Sequence, residues 1–293
     1  MRLIESSVIE IVQEPNVEGM YRHIDYCAGV CYGRNAAHST FAEQQNFVDN
    51  LRKKGHCRPL EFGTVYLHIT PSQLKEDTAF ITSYILNSPY TIANVIPQFA
   101  TTNIDNYVIT TNFRVVVEAY EQLQRSSIQC NMSINEYLTC FWAATDELLS
   151  ENAGFKKRKT FAWKCSRGIA DEFRTHITLS SMMKSTRYVN EMKNGIEFVR
   201  PFWYQNKNGE REKLFRKSCE EVERYYNQCV NELGMKPQEA REILPLSLAT
   251  DLYQCGFVNM DGVGWNRFLA MRCDHAAHPD AQKLAYELKT ICR

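Results

Sequence analysis

Between Glu172 and Tyr188 the chain gathers side chains that can bind an anion or hold a proton: Glu172, Arg174, Thr175 and His176, then Lys184, Ser185, Arg187 and Tyr188. Guanidinium and ammonium groups with a hydroxyl nearby suit a phosphate, which takes charge-assisted hydrogen bonds from each. A surface of solvated polar residues would have the same composition, so the cluster gains meaning only from what positions it. Phe161, Ala162, Trp163, Lys164 and Cys165 alternate roughly as a half-buried strand does. From Ser166 the period changes: Ile169, Phe173 and Ile177 recur every fourth residue, which predicts a helix with Ser166 as N-cap and one face on a sheet.

Composition narrows the field. The 293 residues are 44% hydrophobic and 12% aromatic, enough for a packed core in one large domain or two small ones. Lys plus Arg and Asp plus Glu are both 34, so no overall field draws the chain to nucleic acid or to a membrane, and any anion site must be local. No apolar run reaches the roughly 18 to 20 residues of a membrane span, and the acidic start MRLIESSVIEIV is unlike a signal peptide; a cytoplasmic protein is expected. Eleven cysteines without a C-x-x-C pair read as thiols in a reducing compartment, and His275 and His278, beside Asp274 and Asp280, read as turn-capping residues; no metal site is expected.

Along the chain, residues 1 to 70 predict strand, helix, strand. Thr40 precedes an amphipathic helix through Phe41, Phe47, Val48 and Leu51 that Gly55 ends, and Val65, Leu67 and Ile69 alternate as a strand. Residues 106 to 125 predict a strand leading through Asn112 into a helix, and INEYLTCFWAATDELL predicts another helix. The basic run Lys156, Lys157, Arg158, Lys159 reads as a solvated connection. A long helix is expected from Lys213 to Leu233, stopped by Gly234, and a short one from Pro237 over QEAREILPLSLATDLYQ, with Pro245 kinking it and helping to aim Arg241 inward. Pro201, Phe202, Trp203 and Tyr204 form an aromatic group that suits either a core or a wall for a planar ring.

The segment around His176 resembles the signature of the flavin-dependent thymidylate synthases, R-H-R, seven residues, then S-x-R-Y. Ser185, Arg187 and Tyr188 match its end and His176 its central histidine, within flanks Cys-Ser-Arg-Gly and Ser-Thr-Arg-Tyr similar to one long-chain branch. Further matches are Gly55, His56, Leu60 and Glu61, with Phe62 in place of a second histidine; Ile109 to Arg114; Ala240-Arg241 with Leu244-Pro245; and Phe268 to Arg272 followed by Ala-His-Pro. Thr175 and Ile177 stand where the family has arginines. Arg174 lies one position early, and a helix turns about 100° per residue, so it cannot take the same place without backbone adjustment.

The resemblance implies a single α/β (α+β) domain over residues 1 to 293, with a curved, mostly antiparallel sheet flanked by helices, as in thymidylate synthase-complementing proteins. Residues 71 to 159 would be an insertion. It implies reductive methylation of dUMP to dTMP using methylenetetrahydrofolate, FAD and NADPH, in a homotetramer with FAD sites between subunits. By resemblance Glu172, Ser185, Arg187, Arg241 and Arg272 would bind dUMP, with Arg272 on the uracil ring and Ser185 a positioning hydroxyl. Arg174, Thr175, His176, Arg267 and His56 would face FAD; His56 also suits a plain helix-end residue. Two other readings stay open: a variant enzyme that hydroxymethylates dUMP or modifies dCMP, and a non-catalytic nucleotide-binding homologue.

Overall fold

The computed structural model describes residues 1–96, 106–144, 148, 154–205 and 209–292. They divide into two compact units: Met1–Ile11, Ala28–Asn35 and Lys159–Arg293 make the first, Val12–Cys27 and Ala36–Arg158 the second. Both combine helices with antiparallel sheet, a mixed α/β class as expected. Among the described residues no helix is long and apolar enough to cross a membrane.

In the second unit a three-stranded antiparallel sheet has Asn106–Asn112 between Thr64–Ile69 and Ile92–Ile96. Val65, Leu67 and Ile69 are fully buried, so the alternation in sequence marks the core face. Asn112 ends its strand and caps the helix Phe113–Arg125, its side chain accepting the Val115 N–H at 3.2 Å. The helix Phe41–Lys53 opens with a capping box between Thr40 and Glu43. It closes on Gly55, at φ +71°, with the Gly55 N–H on the Arg52 carbonyl and the His56 N–H on the Leu51 carbonyl, a Schellman end. The helix Ile134–Phe141 is shorter than its sequence suggests: Trp142 turns to extended backbone. The rest of the expected helix lies largely outside the described residues. A helix not expected from the sequence, Val17–Gly29, starts where the Asn16 side chain accepts the Gly19 N–H.

The first unit carries a four-stranded sheet in the order Ser7–Ile11, Arg158–Ser166, Ala249–Phe257, Ser180–Met183. Val8 faces Trp163 across one antiparallel pair and Ser181 faces Gln254 across the other. The helices Arg167–Arg174, Gly264–Arg272 and Pro279–Ile291 share one core with it, in which Trp163, Phe173, Trp265 and Phe268 meet at ring distances of 4.8 to 6.2 Å. Each such ring contributes on the order of 2–3 kcal/mol by burial alone, so the helix ends are held against one rigid surface. A smaller core joins the parallel ribbon Arg2–Ile4/Glu197–Val199 to the helix Glu210–Asn227, which passes through a wider turn, Gln228–Glu232, before Gly234 at φ +66°.

Two expectations for this unit are corrected. Ile177 does not continue the helix face of Ile169 and Phe173; the helix stops at Arg174 and Ile177 is 91% exposed. The helix from Pro237 is one turn long, followed by a 3-10 turn, Arg241–Ile243, and Ala249–Phe257 is a strand. That strand is buried on nearly every residue, so it lacks the two-residue alternation that would have revealed it.

Candidate functional site

The helix Arg167–Arg174 follows directly from the strand beside it in the sheet, and the protein itself satisfies its N-terminus. The Arg167 and Gly168 N–H groups donate to the carbonyls of Leu248 and Leu246, and that of Ile169 to Ser166 Oγ. No orphan donors remain there to bind an anion. Ile169, Ala170 and Phe173 face the core, which turns two groups of polar residues outward.

At the C-terminal end three side chains add bonds to carbonyls of the last turn, which also accept the backbone N–H groups of Thr175 and His176. Thr175 Oγ1 donates to the Glu172 carbonyl at 2.7 Å, Arg272 Nη2 to the same carbonyl at 2.7 Å, and Gln254 Nε2 to that of Phe173 at 3.0 Å. Gln254 also donates to Ser181 Oγ at 2.9 Å. A cation at this end is favoured by the helix dipole.

Arg272 is the hub. Besides the carbonyl bond, Nη1 meets Glu172 Oε2 at 2.8 Å, Nε meets His176 Nε2 at 2.9 Å, and its guanidinium lies 5.9 Å from the Phe173 ring centre. His176 is 5% exposed and packs on Phe268. Burial, then the charges of Arg272 and Arg267, lower its pKa to about 4, so it is neutral near pH 7. Four residues predicted from sequence, Glu172, Thr175, His176 and Arg272, therefore meet directly, and Arg267, exposed on the same helix as Arg272, acts on His176 through its charge.

The remaining predicted residues have other partners. Ser185 donates its N–H to the Cys31 carbonyl and accepts the Arg187 N–H on Oγ at 3.2 Å. Arg187 lies over the ring of Tyr188, which stacks on Tyr32 at 5.7 Å. Arg174 pairs with Asp171 at 3.3 Å. Arg241 pairs with Glu242 at 3.1 Å and is 40% exposed, so Pro245 ends the turn without burying it. His56 is exposed in the second unit, in the geometry of a helix-ending residue. His278 caps the last helix, its Nδ1 accepting the Asp280 N–H.

A cavity of about 410 Å³ opens beside the helix, lined in part by Gly168, Glu172, Phe202, Trp203, Leu246 and His278. Phe202, 57% exposed, meets His278 edge-on, while Trp203 packs edge-on against Phe215. Of the two roles open to the aromatic group, these rings take both: Trp203 joins the local packing and Phe202 forms a wall. Burial raises the pKa of Asp280, also on the lining, against the pull of the Phe202 N–H and of His278. Sequence reading missed Gln254, a polar residue hidden in an apolar strand.

The arrangement defines an α/β protein with an arginine-centred polar site at the end of a sheet-packed helix. Residues 156–293 match the family model described as thymidylate synthase complementing protein. Among solved structures, thymidylate synthase X from Helicobacter pylori with FAD and dUMP is similar at 24% identity and a TM-score of 0.36, over 45% of this chain and 65% of that one. A second structure of the flavin-dependent thymidylate synthase from the same organism, complexed with FAD and dUMP, gives 25%, 0.35, 45% and 65%. This chain thus spans just under two thirds of the length of those relatives. No curated protein matches it.

Proposed function

We propose that this chain is a divergent flavin-dependent thymidylate synthase, which forms dTMP from dUMP with methylenetetrahydrofolate as one-carbon donor and NADPH as reductant. One observation carries the reading: Glu172, His176 and Arg272, up to 100 positions apart, meet in one hydrogen-bonded group inside the segment that matches the family model. Methylation at carbon 5 requires electron density pushed into the pyrimidine ring, and a fixed guanidinium stabilises the negative charge that develops on a ring oxygen. In this role Arg272 donates from the Nη1 N–H left over from its internal bonds, while Glu172 and His176 hold its plane. Ser185, Arg187 and Arg241 bind the rest of the nucleotide, Ser185 as a positioning hydroxyl with no adjacent base to activate it.

The residues present fit FAD in part. Arg267 is exposed, and among the described residues no carboxylate pairs with it; Arg174 is exposed but tied to Asp171. With Thr175 and the neutral His176 they would hold the cofactor edge, and FAD supplies the electrons for reduction when bound. Assembly into a homotetramer with shared sites belongs to the same reading. Under this reading residues 71 to 159 are an insertion carried by the second unit.

The test is an absorbance spectrum of the purified protein, anaerobic reduction by NADPH, and product analysis with dUMP and methylenetetrahydrofolate. Flavin absorbance that bleaches with NADPH, together with dTMP, is expected. Protein that neither carries nor takes up FAD sinks the reading. One observation favours a variant reaction: the solvent-facing Ile177 stands where the family has an arginine. Mass spectrometry of the same mixture distinguishes a methyl from a hydroxymethyl product, and a parallel run with dCMP tests the other substrate.

A further inference from the structure

We propose that the second face of the four-stranded sheet carries a binding site for a small zwitterion of the amino-acid class, with Glu191 taking the ligand's ammonium and Arg2 and Lys184 its carboxylate. The site lies on the face of the sheet away from the helix that bears Glu172, and it does not depend on the nucleotide reading.

Strand alternation builds it. Trp163 and Cys165 enter the aromatic core with Phe173, so Lys164 between them faces the other way, as does Asp251 beside the core residue Leu252. Lys164 Nζ meets Asp251 Oδ1 at 2.8 Å and Glu197 Oε2 at 3.3 Å, which ties the sheet to the ribbon Arg2–Ile4/Glu197–Val199. Glu197 also pairs with Arg2 at 2.8 Å, and Lys184 pairs with Glu191 at 2.6 Å. All six charged residues line a cavity of about 270 Å³. Sites for small molecules start at about 300 Å³, so an occupant must be small.

Charge decides what fits. Three cations face three carboxylates, so the wall is neutral overall and a single ion of either sign would upset the balance. Within that wall one acceptor is unmet. Glu191 is 7% exposed, and its Oε1 is buried with no hydrogen-bond partner among the described residues, while Oε2 is held by Lys184. A buried carboxylate oxygen in that condition calls for an N–H donor. Donors are spare as well: among the described residues the Arg2 guanidinium bonds Glu197 alone and the Lys184 ammonium bonds Glu191 alone, though they offer five and three N–H groups. Among the described residues no three His, Cys, Asp or Glu side chains are grouped to hold a metal ion. A molecule with both an ammonium and a carboxylate meets Oε1 and the spare donors together and keeps the wall neutral.

The experiment is calorimetric titration of the whole purified protein, as parent, E191Q and R2Q, with glycine, β-alanine and γ-aminobutyrate, whose two charges stand at increasing separations. Acetate and methylammonium, with one charge each, are titrated alongside. At least one zwitterion is expected to bind the parent with a Kd of about 1 mM or tighter, and both single ions at least about 10-fold more weakly. Loss of one charge-assisted bond should weaken that zwitterion about 10-fold in each variant. E191Q leaves the half-buried Lys184 without its partner and can fail to fold; R2Q alters a side chain that is 62% exposed and keeps the test open, with circular dichroism to verify folding. A parent that binds no zwitterion overturns the inference. So does acetate or methylammonium binding as tightly as the best zwitterion, which would mark a plain ion site. Equal binding by the parent and a folded variant places the ligand elsewhere and overturns it too. FAD uptake and dTMP formation enter none of these outcomes, so this inference and the proposed function fail separately.

Discussion

Arg272 donates through Nε to Nε2 of His176 at 2.9 Å, and that single bond assigns the histidine's tautomer. A guanidinium has no acceptor, so Nε2 must offer its lone pair and the proton must sit on Nδ1. Nitrogen-detected NMR of labelled protein should find His176 neutral, protonated on Nδ1, from about pH 8 down to about pH 5. An Nε2–H signal in that range would contradict the arrangement.

The same histidine makes stability depend on pH. Its pKa is lowered to about 4, and so is that of His23 in the second unit, where burial acts first and the charge of Arg158 second. Unfolded, each titrates near 6.5, so between about pH 6.5 and 4 the unfolded chain binds more protons than the folded one. The contribution is complete above about 6.5 and falls away as the pH drops towards 4, by up to roughly 3 kcal/mol for each histidine. Denaturant unfolding across that range should show the slope, and H176Q, which keeps an acceptor for Arg272, should flatten part of it. A slope identical in H176Q would remove His176 as its source.

Arg272 binds the carbonyl and the carboxylate of Glu172 as well as His176, so it should matter for stability apart from any catalytic role. Lysine offers one compact charge in place of a planar fork, so R272K should cost about 1–3 kcal/mol, since Glu172 remains partly solvated. Under the proposed function turnover should drop at least 100-fold even where the variant is fully folded, as circular dichroism and melting would verify. Near-normal turnover in folded R272K would take Arg272 out of the chemistry.

What the sequence made legible follows from locality. Thr40 with Glu43, Asn112 before its helix, and Gly55 after another are signals carried within a few residues, and each boundary they predict is observed. The helix Val17–Gly29 carries its own local signal, Asn16 at its start and the buried series Met20, Ile24, Cys27 and Ala28, directly after a segment that alternates as a strand. The strand Ala249–Phe257 was not legible, because a strand buried on both faces has no period to read. In the site, the letters picked out Glu172, His176 and Arg272, whose contacts span about a hundred positions. Gln254 has no local sequence pattern, because its meaning lies in a carbonyl at a helix end 81 positions away.

Gly264 positions the helix that carries Arg267 and Arg272. Its φ is +52°, and an added Cβ would lie 2.3 Å from the Phe257 carbonyl oxygen, a backbone atom with little room to move. G264A should therefore lose about 2–4 kcal/mol, from left-handed backbone strain together with overpacking against the Phe257 backbone. Because the helix must shift to relieve the contact, the His176–Arg272 bond should weaken too, visible as a changed His176 nitrogen shift. A G264A protein with parental melting behaviour would refute the steric argument.

Ile177 and Thr175 mark where this chain departs from the Arg-His-Arg pattern, and the structure makes the two positions unequal. Ile177 projects into solvent, so I177R should alter stability by less than about 0.5 kcal/mol. Thr175 holds the Glu172 carbonyl at 2.7 Å and lies 3.5 Å from an Arg272 nitrogen, so T175R removes a bond and crowds two cations, at a cost of about 1–2 kcal/mol. If cofactor phosphates lie beside residue 177, the added guanidinium in I177R should tighten FAD binding about tenfold, worth one charge-assisted bond. Fluorescence titration with FAD, alongside melting curves, separates the two variants. Unchanged FAD affinity in a stable I177R protein would place the cofactor's phosphates elsewhere.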